Sequence, residues 1–178
     1  MCKPIIVCIS GKARSGKGEF SRFAIEHLAP TLKCQELAYG DFVKFVCYKY
    51  FGCTYERNEY NRTQWQQVGT ELGRAGNKNI WINMTIELVK GIFNDCDFIF
   101  IPDNRFPNEI DRWEEEGFEV ISIRVEREDF EDNMTPEQRA HKSEVSLDEY
   151  GFDYKIKNSG TLEEYREKVI DFVSKTLV

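Results

Sequence analysis

The residues best equipped for chemistry stand near the start of the chain, in Gly11-Lys12-Ala13-Arg14-Ser15-Gly16-Lys17-Gly18. The spacing is Gly-x-x-x-x-Gly-Lys, a pattern built to cradle phosphate. Glycines let consecutive backbone N–H groups converge on phosphate oxygens, and a helix starting there adds its positive end. Lys17 would set an ammonium against the outer phosphates of a bound polyphosphate. Lys12 and Arg14 add local positive charge. Position 18 is glycine, where loops of this kind usually carry a Ser or Thr that reaches Mg²⁺. The expected substitute is Asp103.

Asp103-Asn104-Arg105 follows the apolar run Phe98-Ile99-Phe100-Ile101. A carboxylate and a guanidinium at a strand end lie where α/β folds place their ligands. Asp103 could orient a metal or accept a proton, and Arg105 could clamp a phosphate. Asp41 and Lys44 are further candidates, with Asp41 equally readable as a helix N-cap. Arg62, Gln67 and Arg74 share one predicted helix, whose alternative reading is a solvated face. Arg127, Arg139, His141, Lys142 and Glu144 lie in a charged stretch that reads either as a solvated loop or as a segment closing over a donor.

The elements that must position these groups alternate between strand and helix. Ile5 to Ile9 reads as a strand buried on both faces. A helix follows, with Phe20, Phe23, Ala24 and Leu28 on one side and Pro30 as its stop. A short second strand ends at Leu37-Ala38-Tyr39. Helices are predicted over 42–51, 62–74 and 80–93, with a polar connection at 54–61. Trp65, Val68 and Leu72 share a face of the second of these. The third is apolar nearly all round and so expected to be buried. Tyr48, Tyr50, Phe51, Trp65 and Trp81 are expected mostly in the core. Strands are predicted at 98–101, 118–125 and 152–156, with a helix from Pro107 to about 116. Residues 126–149 read as an excursion outside the core. Thr161 and Glu164 form a capping box for the last helix. The whole is a three-layer α/β domain, with a parallel sheet of about five strands and helices on both faces.

Composition sets the limits. The 178 residues suit one domain, with 41% hydrophobic and 31% charged residues, which argues against global disorder. No apolar run is long enough to cross a bilayer. The N-terminus lacks a signal peptide's charge order, so a cytoplasmic setting is expected. Six cysteines without a CxxC pair, and two histidines, read as reduced thiols rather than a zinc site or disulfide framework. A net charge of −7 argues against a protein that coats nucleic acid, while permitting a small anionic ligand held by local cations.

Five segments, in order, resemble the phage-type deoxynucleoside monophosphate kinases, a branch of the P-loop nucleoside monophosphate kinases. They are Ser10 to Lys17, Leu37 to Lys44, Gln67 to Arg74 followed by Trp81, Pro102 to Glu109, and His141-Lys142-Ser143-Glu144. The resemblance spans nearly the whole chain, and the third and fourth segments are its most specific parts. It implies a P-loop NTPase fold, ATP and Mg²⁺ as donor and cofactor, and a deoxynucleoside monophosphate as acceptor. It also implies an acceptor-binding helical segment at about 38–80, a lid at about 126–148 and, for a viral chain, the host cytoplasm. By the same resemblance Lys17 would contact donor phosphates, and Lys44, Arg74 and Arg105 the acceptor phosphate. Arg139 would be a lid arginine. Asp41, Gln67, His141 and Glu144 join the acceptor-side candidates.

Two other readings stay open. One is a kinase acting on a hydroxyl, such as 5-hydroxymethyluracil in DNA or dephospho-coenzyme A, with Asp41 or Asp103 taking the proton. The other is a nucleotide-binding module without catalysis. A homodimer is also left open.

Overall fold

The computed structural model describes residues 3–127 and 142–178. Strands β1 (Ile5–Ser10), β2 (Cys34–Glu36), β3 (Phe98–Ile101), β4 (Val120–Arg127) and β5 (Tyr154–Asn158) form one parallel sheet, ordered β2-β3-β1-β4-β5. In register, Ile5 pairs with Phe98 and Cys8 with Ile101, while Ser10 pairs with Arg124 on the other side. Successive side chains point to opposite faces of a strand. Ile6, Cys8, Ile99 and Ile101 therefore enter one apolar layer, and Val7, Ile9, Phe98 and Phe100 the other.

Helices α1 (Lys17–Leu28) and α8 (Leu162–Thr176) cover the second layer with Phe20, Phe23, Ala24, Tyr165, Val169 and Val173. The first layer is closed by α2 (Tyr39–Tyr50), α5 (Ile80–Gly91) and α6 (Asn108–Glu115), through Tyr39, Val43, Trp81, Ile82, Ile110 and Trp113. A sheet buried on both faces explains why β1 and β3 are continuous apolar runs. The Thr161–Glu164 capping box at α8 forms as expected.

The helical segment departs from the periodicity reading. α2 begins at Tyr39, so Asp41 is not its N-cap but lies in its first turn, with its N–H bonded to the Ala38 carbonyl. The connection at 54–61 is shorter than expected: Asn58 accepts the Asn61 N–H and starts α3 (Glu59–Gln66). The helix then widens into a π-helical turn (Gln67–Leu72) before one more α turn, α4 (Gly73–Gly76). An inserted π turn rotates everything beyond it, so Leu72 leaves the Trp65–Val68 face and is exposed.

Other expectations are corrected in the same region. α5 buries Trp81, Ile82, Thr85, Ile86 and Val89 but exposes Met84, and Ile92 just beyond it is exposed too, so it covers the sheet with one face. Tyr48, Tyr50 and Phe51 lie on the surface, because α2 packs through Tyr39, Val43 and Cys47. β4 extends to Arg127, and Leu147 is buried in the first apolar layer, so parts of 126–149 belong to the core. Arg139 and His141 lie outside the described residues.

Candidate active site

β1 runs straight into the loop at the carboxyl edge of the sheet, and α1 leaves from it. Gly11 has φ 151° and Gly16 φ 99°, a region in which side chains are strained. A Cβ at Gly11 would collide with the Val125 carbonyl, and one at Gly16 with the Asn158 amide. Two contacts from the far end of the chain brace the loop: Asn158 Nδ2 donates to the Ser15 carbonyl (2.9 Å) and Tyr165 Oη to the Gly16 carbonyl (3.2 Å). Neither residue stood out in sequence, because both lie about 145 positions from their targets. Ser15 Oγ is buried in this concave loop and has no hydrogen-bond partner among the described residues. At Gly18 a Cβ would meet nothing within 4 Å among the described residues, so their packing does not demand glycine there.

Lys17 Nζ donates to the carbonyls of Gly11 and Lys12, both at 2.8 Å. Its pKa is brought down to about 7, first by burial and next by the neighbouring Arg105. Arg105 arrives from the end of β3, and its Nη1 is paired with the Glu144 carboxylate. The other Glu144 oxygen accepts the Ala13 N–H at 3.2 Å. Glu144 belongs to a short helical turn, α7 (Lys142–Val145), which crosses the loop. Lys12 holds that turn through the Glu144 carbonyl (2.7 Å) and Asp148 (2.6 Å), while Arg124 also bonds Asp148 (2.8 Å). Arg14 is exposed, and its carbonyl accepts from Arg127.

Asp103, expected to orient a metal or accept a proton, is also part of the frame. Its two oxygens accept the N–H groups of Tyr39 (3.1 Å) and Gly40 (2.8 Å), clamping the start of α2 to the end of β3. Burial pushes its carboxyl upward against those two bonds. Among the described residues no group of three or more His, Cys, Asp or Glu gathers to hold a metal. Asn104 is fully buried and donates to the carbonyls of Ile9 and Ile101, tying the ends of β1 and β3 together.

Arg74 is likewise built into the frame. Its guanidinium bonds Glu109, the Gly69 carbonyl and the Lys78 carbonyl, and lies 4.4 Å from the Phe106 ring centroid. Glu109 also accepts the N–H groups of Arg105 (2.6 Å) and Phe106 (3.0 Å). The π turn contributes here, since Gly69 O receives both Arg74 Nε and Trp81 Nε1 (2.9 Å). Gly73 lets this turn approach Trp81; a Cβ there would stand 2.6 Å from the ring. Two of the resembling segments are thus joined by Arg74–Glu109, and two by Arg105–Glu144.

Asp41 and Lys44 pair at 2.9 Å and line a cavity of about 570 Å³ with Tyr55, Arg57, Arg62 and Trp65. Asp41 follows Gly40, whose N–H Asp103 holds, so this cavity adjoins the sheet edge. Trp65 Nε1 is buried without a partner among the described residues. Sequence reading named Asp41, Lys44, Arg62 and Trp65 but not Tyr55 and Arg57, which sit in a connection without periodicity. Gln67 is exposed on the π turn and does not line this cavity.

No family model matches the chain, and no curated protein matches it. Solved structures do. Shikimate kinase from Bacteroides thetaiotaomicron superposes with a TM-score of 0.57 at 10% identity, over 99% of this chain and 100% of that one. The APS kinase CysC of Mycobacterium tuberculosis, in complex with AMPPNP and APS, gives 0.53 at 12% identity, over 98% and 99%. At this identity the likeness is one of fold: a three-layer α/β arrangement shared with these two kinases.

Proposed function

We propose that this chain transfers the γ-phosphoryl group of ATP to a deoxynucleoside monophosphate, giving ADP and the diphosphate. The observation that carries this reading is the pairing of a braced phosphate loop with a second cavity rich in cations and aromatics. A cavity of about 570 Å³ has the size of a small-molecule site. Lys44, Arg57 and Arg62 suit a phosphate, and Tyr55 and Trp65 suit a base. A ligand acceptor atom would also satisfy the orphaned Trp65 N–H.

The glycine geometry of the loop and its orphaned Ser15 hydroxyl fit a polyphosphate. Mg²⁺ keeps several waters and binds mainly through nucleotide phosphates, so it would arrive with the donor. Its chemistry is to neutralise charge between the outer phosphates. The chain's own residues do the rest: the loop N–H groups and Lys17 hold the donor, and Arg105 faces the phosphate being transferred. The acceptor phosphate is already ionised and needs no base. That favours it over a hydroxyl acceptor, because Asp103 is bonded to α2 and Asp41 to Lys44.

The test is ADP release from Mg·ATP with deoxynucleoside and ribonucleoside monophosphates, dephospho-coenzyme A and 5-hydroxymethyluracil DNA. Stimulation by deoxynucleoside monophosphates is expected. Turnover with DNA alone would replace this reading by the hydroxyl one, and ATP binding with no acceptor-dependent ADP would leave a binding module.

A further inference from the structure

We propose that Glu144 is the counter-ion of the phosphate loop, a positioning residue whose carboxylate lets Arg105 and Lys17 stand charged side by side. The inference rests on the phosphoryl-transfer reading and assigns a task within the same site. Two cations must converge where a polyphosphate binds, and in a half-buried setting they oppose each other. The groups facing Lys17 come from four places. Arg105 and Asp103 come from the end of β3, Arg124 from β4, Glu144 from α7, and the Gly11 and Lys12 carbonyls from the loop itself. Arg105 and Arg124 disfavour the charged ammonium; Glu144 and Asp103 favour it.

The two carboxylates are not equivalent. Asp103 is anchored on the α2 N–H groups and serves the frame. Glu144 alone touches both the loop, at Ala13 N–H, and the competing cation, at Arg105 Nη1. Its position is enforced from behind, since Lys12 grips its own carbonyl and Asp148, and Arg124 grips Asp148. Its side chain is only 10% exposed, so water screens it little.

The sign follows directly. Lys17 in the folded protein already titrates near 7. Removing a nearby opposing charge that favours the ammonium lowers its pKa, by about one unit. At pH 7 the protonated fraction would then fall from about one half to about one tenth.

The experiment compares wild type, Glu144→Gln and Glu144→Asp, each first checked by thermal melting. Lys17 is titrated by NMR with ¹³Cε-labelled lysine, and inorganic tripolyphosphate binding is measured by calorimetry from pH 6 to 8.5. Glu144→Gln should move the Lys17 midpoint down by about one unit. It should weaken tripolyphosphate binding about tenfold at pH 8 and far less at pH 6, with Glu144→Asp close to wild type. An unchanged Lys17 midpoint in folded Glu144→Gln overturns the proposal. So does tighter binding at every pH, which would make Glu144 merely a competitor for the loop. Should Glu144→Gln fail to fold, Glu144→Ala takes its place: a Lys17 midpoint moved down supports the assignment, and an unmoved one rejects it. Neither readout needs an acceptor, so loss of the dNMP reading and loss of this one are separable.

Discussion

The phosphate loop and the helical segment at 39–76, the two halves of the proposed site, are built on opposite plans. The loop is defined by backbone: glycines at positive φ, carbonyls braced by Asn158 and Tyr165, and a strand and helix continuous with it. The helical segment is defined by side chains. It hangs on the Asp103 clamp, the Arg74–Glu109 pair and the Gly69 carbonyl shared by Arg74 and Trp81, and carries exposed aromatics outside. A backbone device tolerates little change locally and reports itself in a short motif. A side-chain device is spread over distant residues, so one substitution can loosen all of it.

The strongest way to break this contrast is Glu109→Ala. It leaves Arg74 without its buried partner and frees the N–H groups of Arg105 and Phe106. Loss of about 3–5 kcal/mol is expected. Hydrogen exchange should show protection lost across 59–76 before 5–28; equal loss in both would mean that the two halves are not separate devices.

Lys17→Ala should act in the opposite way. Turnover falls at least about a hundredfold, roughly 2.7 kcal/mol in the barrier, while the folded state persists. It should also remove a rise in ligand-free stability between pH 7 and 10. Lys17 titrates near 7 when folded and near 10.5 when unfolded, so the unfolded chain binds more protons in that window and stability climbs with pH. Thermal melts across pH check the slope, and a slope unchanged in the variant would remove Lys17 as its source.

Arg57→Ala sharpens the contrast further. It should raise the KM for the monophosphate about tenfold, or roughly 1.4 kcal/mol, with ATP affinity unchanged. An equal effect on both substrates would place Arg57 outside an acceptor pocket. The smallest effect belongs to Gly18→Ser. The position is open among the described residues, so melting should move by no more than about 2 °C, for a change within about 0.5 kcal/mol; a larger drop would show a backbone requirement for glycine there.

Much of the frame was readable in the chain. Continuous apolar runs mark β1 and β3 because a doubly covered strand has no polar face, and Gly-x-x-x-x-Gly-Lys marks the loop because Gly11 and Gly16 take backbone angles that side chains rarely adopt. The capping box located α8 for the same local reason. The π turn was invisible, since its cause is a carbonyl shared by side chains twelve and five residues away. The surface position of Tyr48, Tyr50 and Phe51 was equally hidden, because hydrophobicity does not say which face finds the sheet.

The sequence by itself therefore determined the parts whose cause is local: strand burial, the glycine loop and the helix cap. Tertiary structure alone decided the tasks of the charged residues. Asp103 and Arg74, fit on paper for metal or phosphate, are also parts of the frame, because folding brings α2 N–H groups and Glu109 within reach of them. Glu144 was brought to the loop by packing across more than 130 positions. A charge acts through distance in space, which residue spacing does not contain.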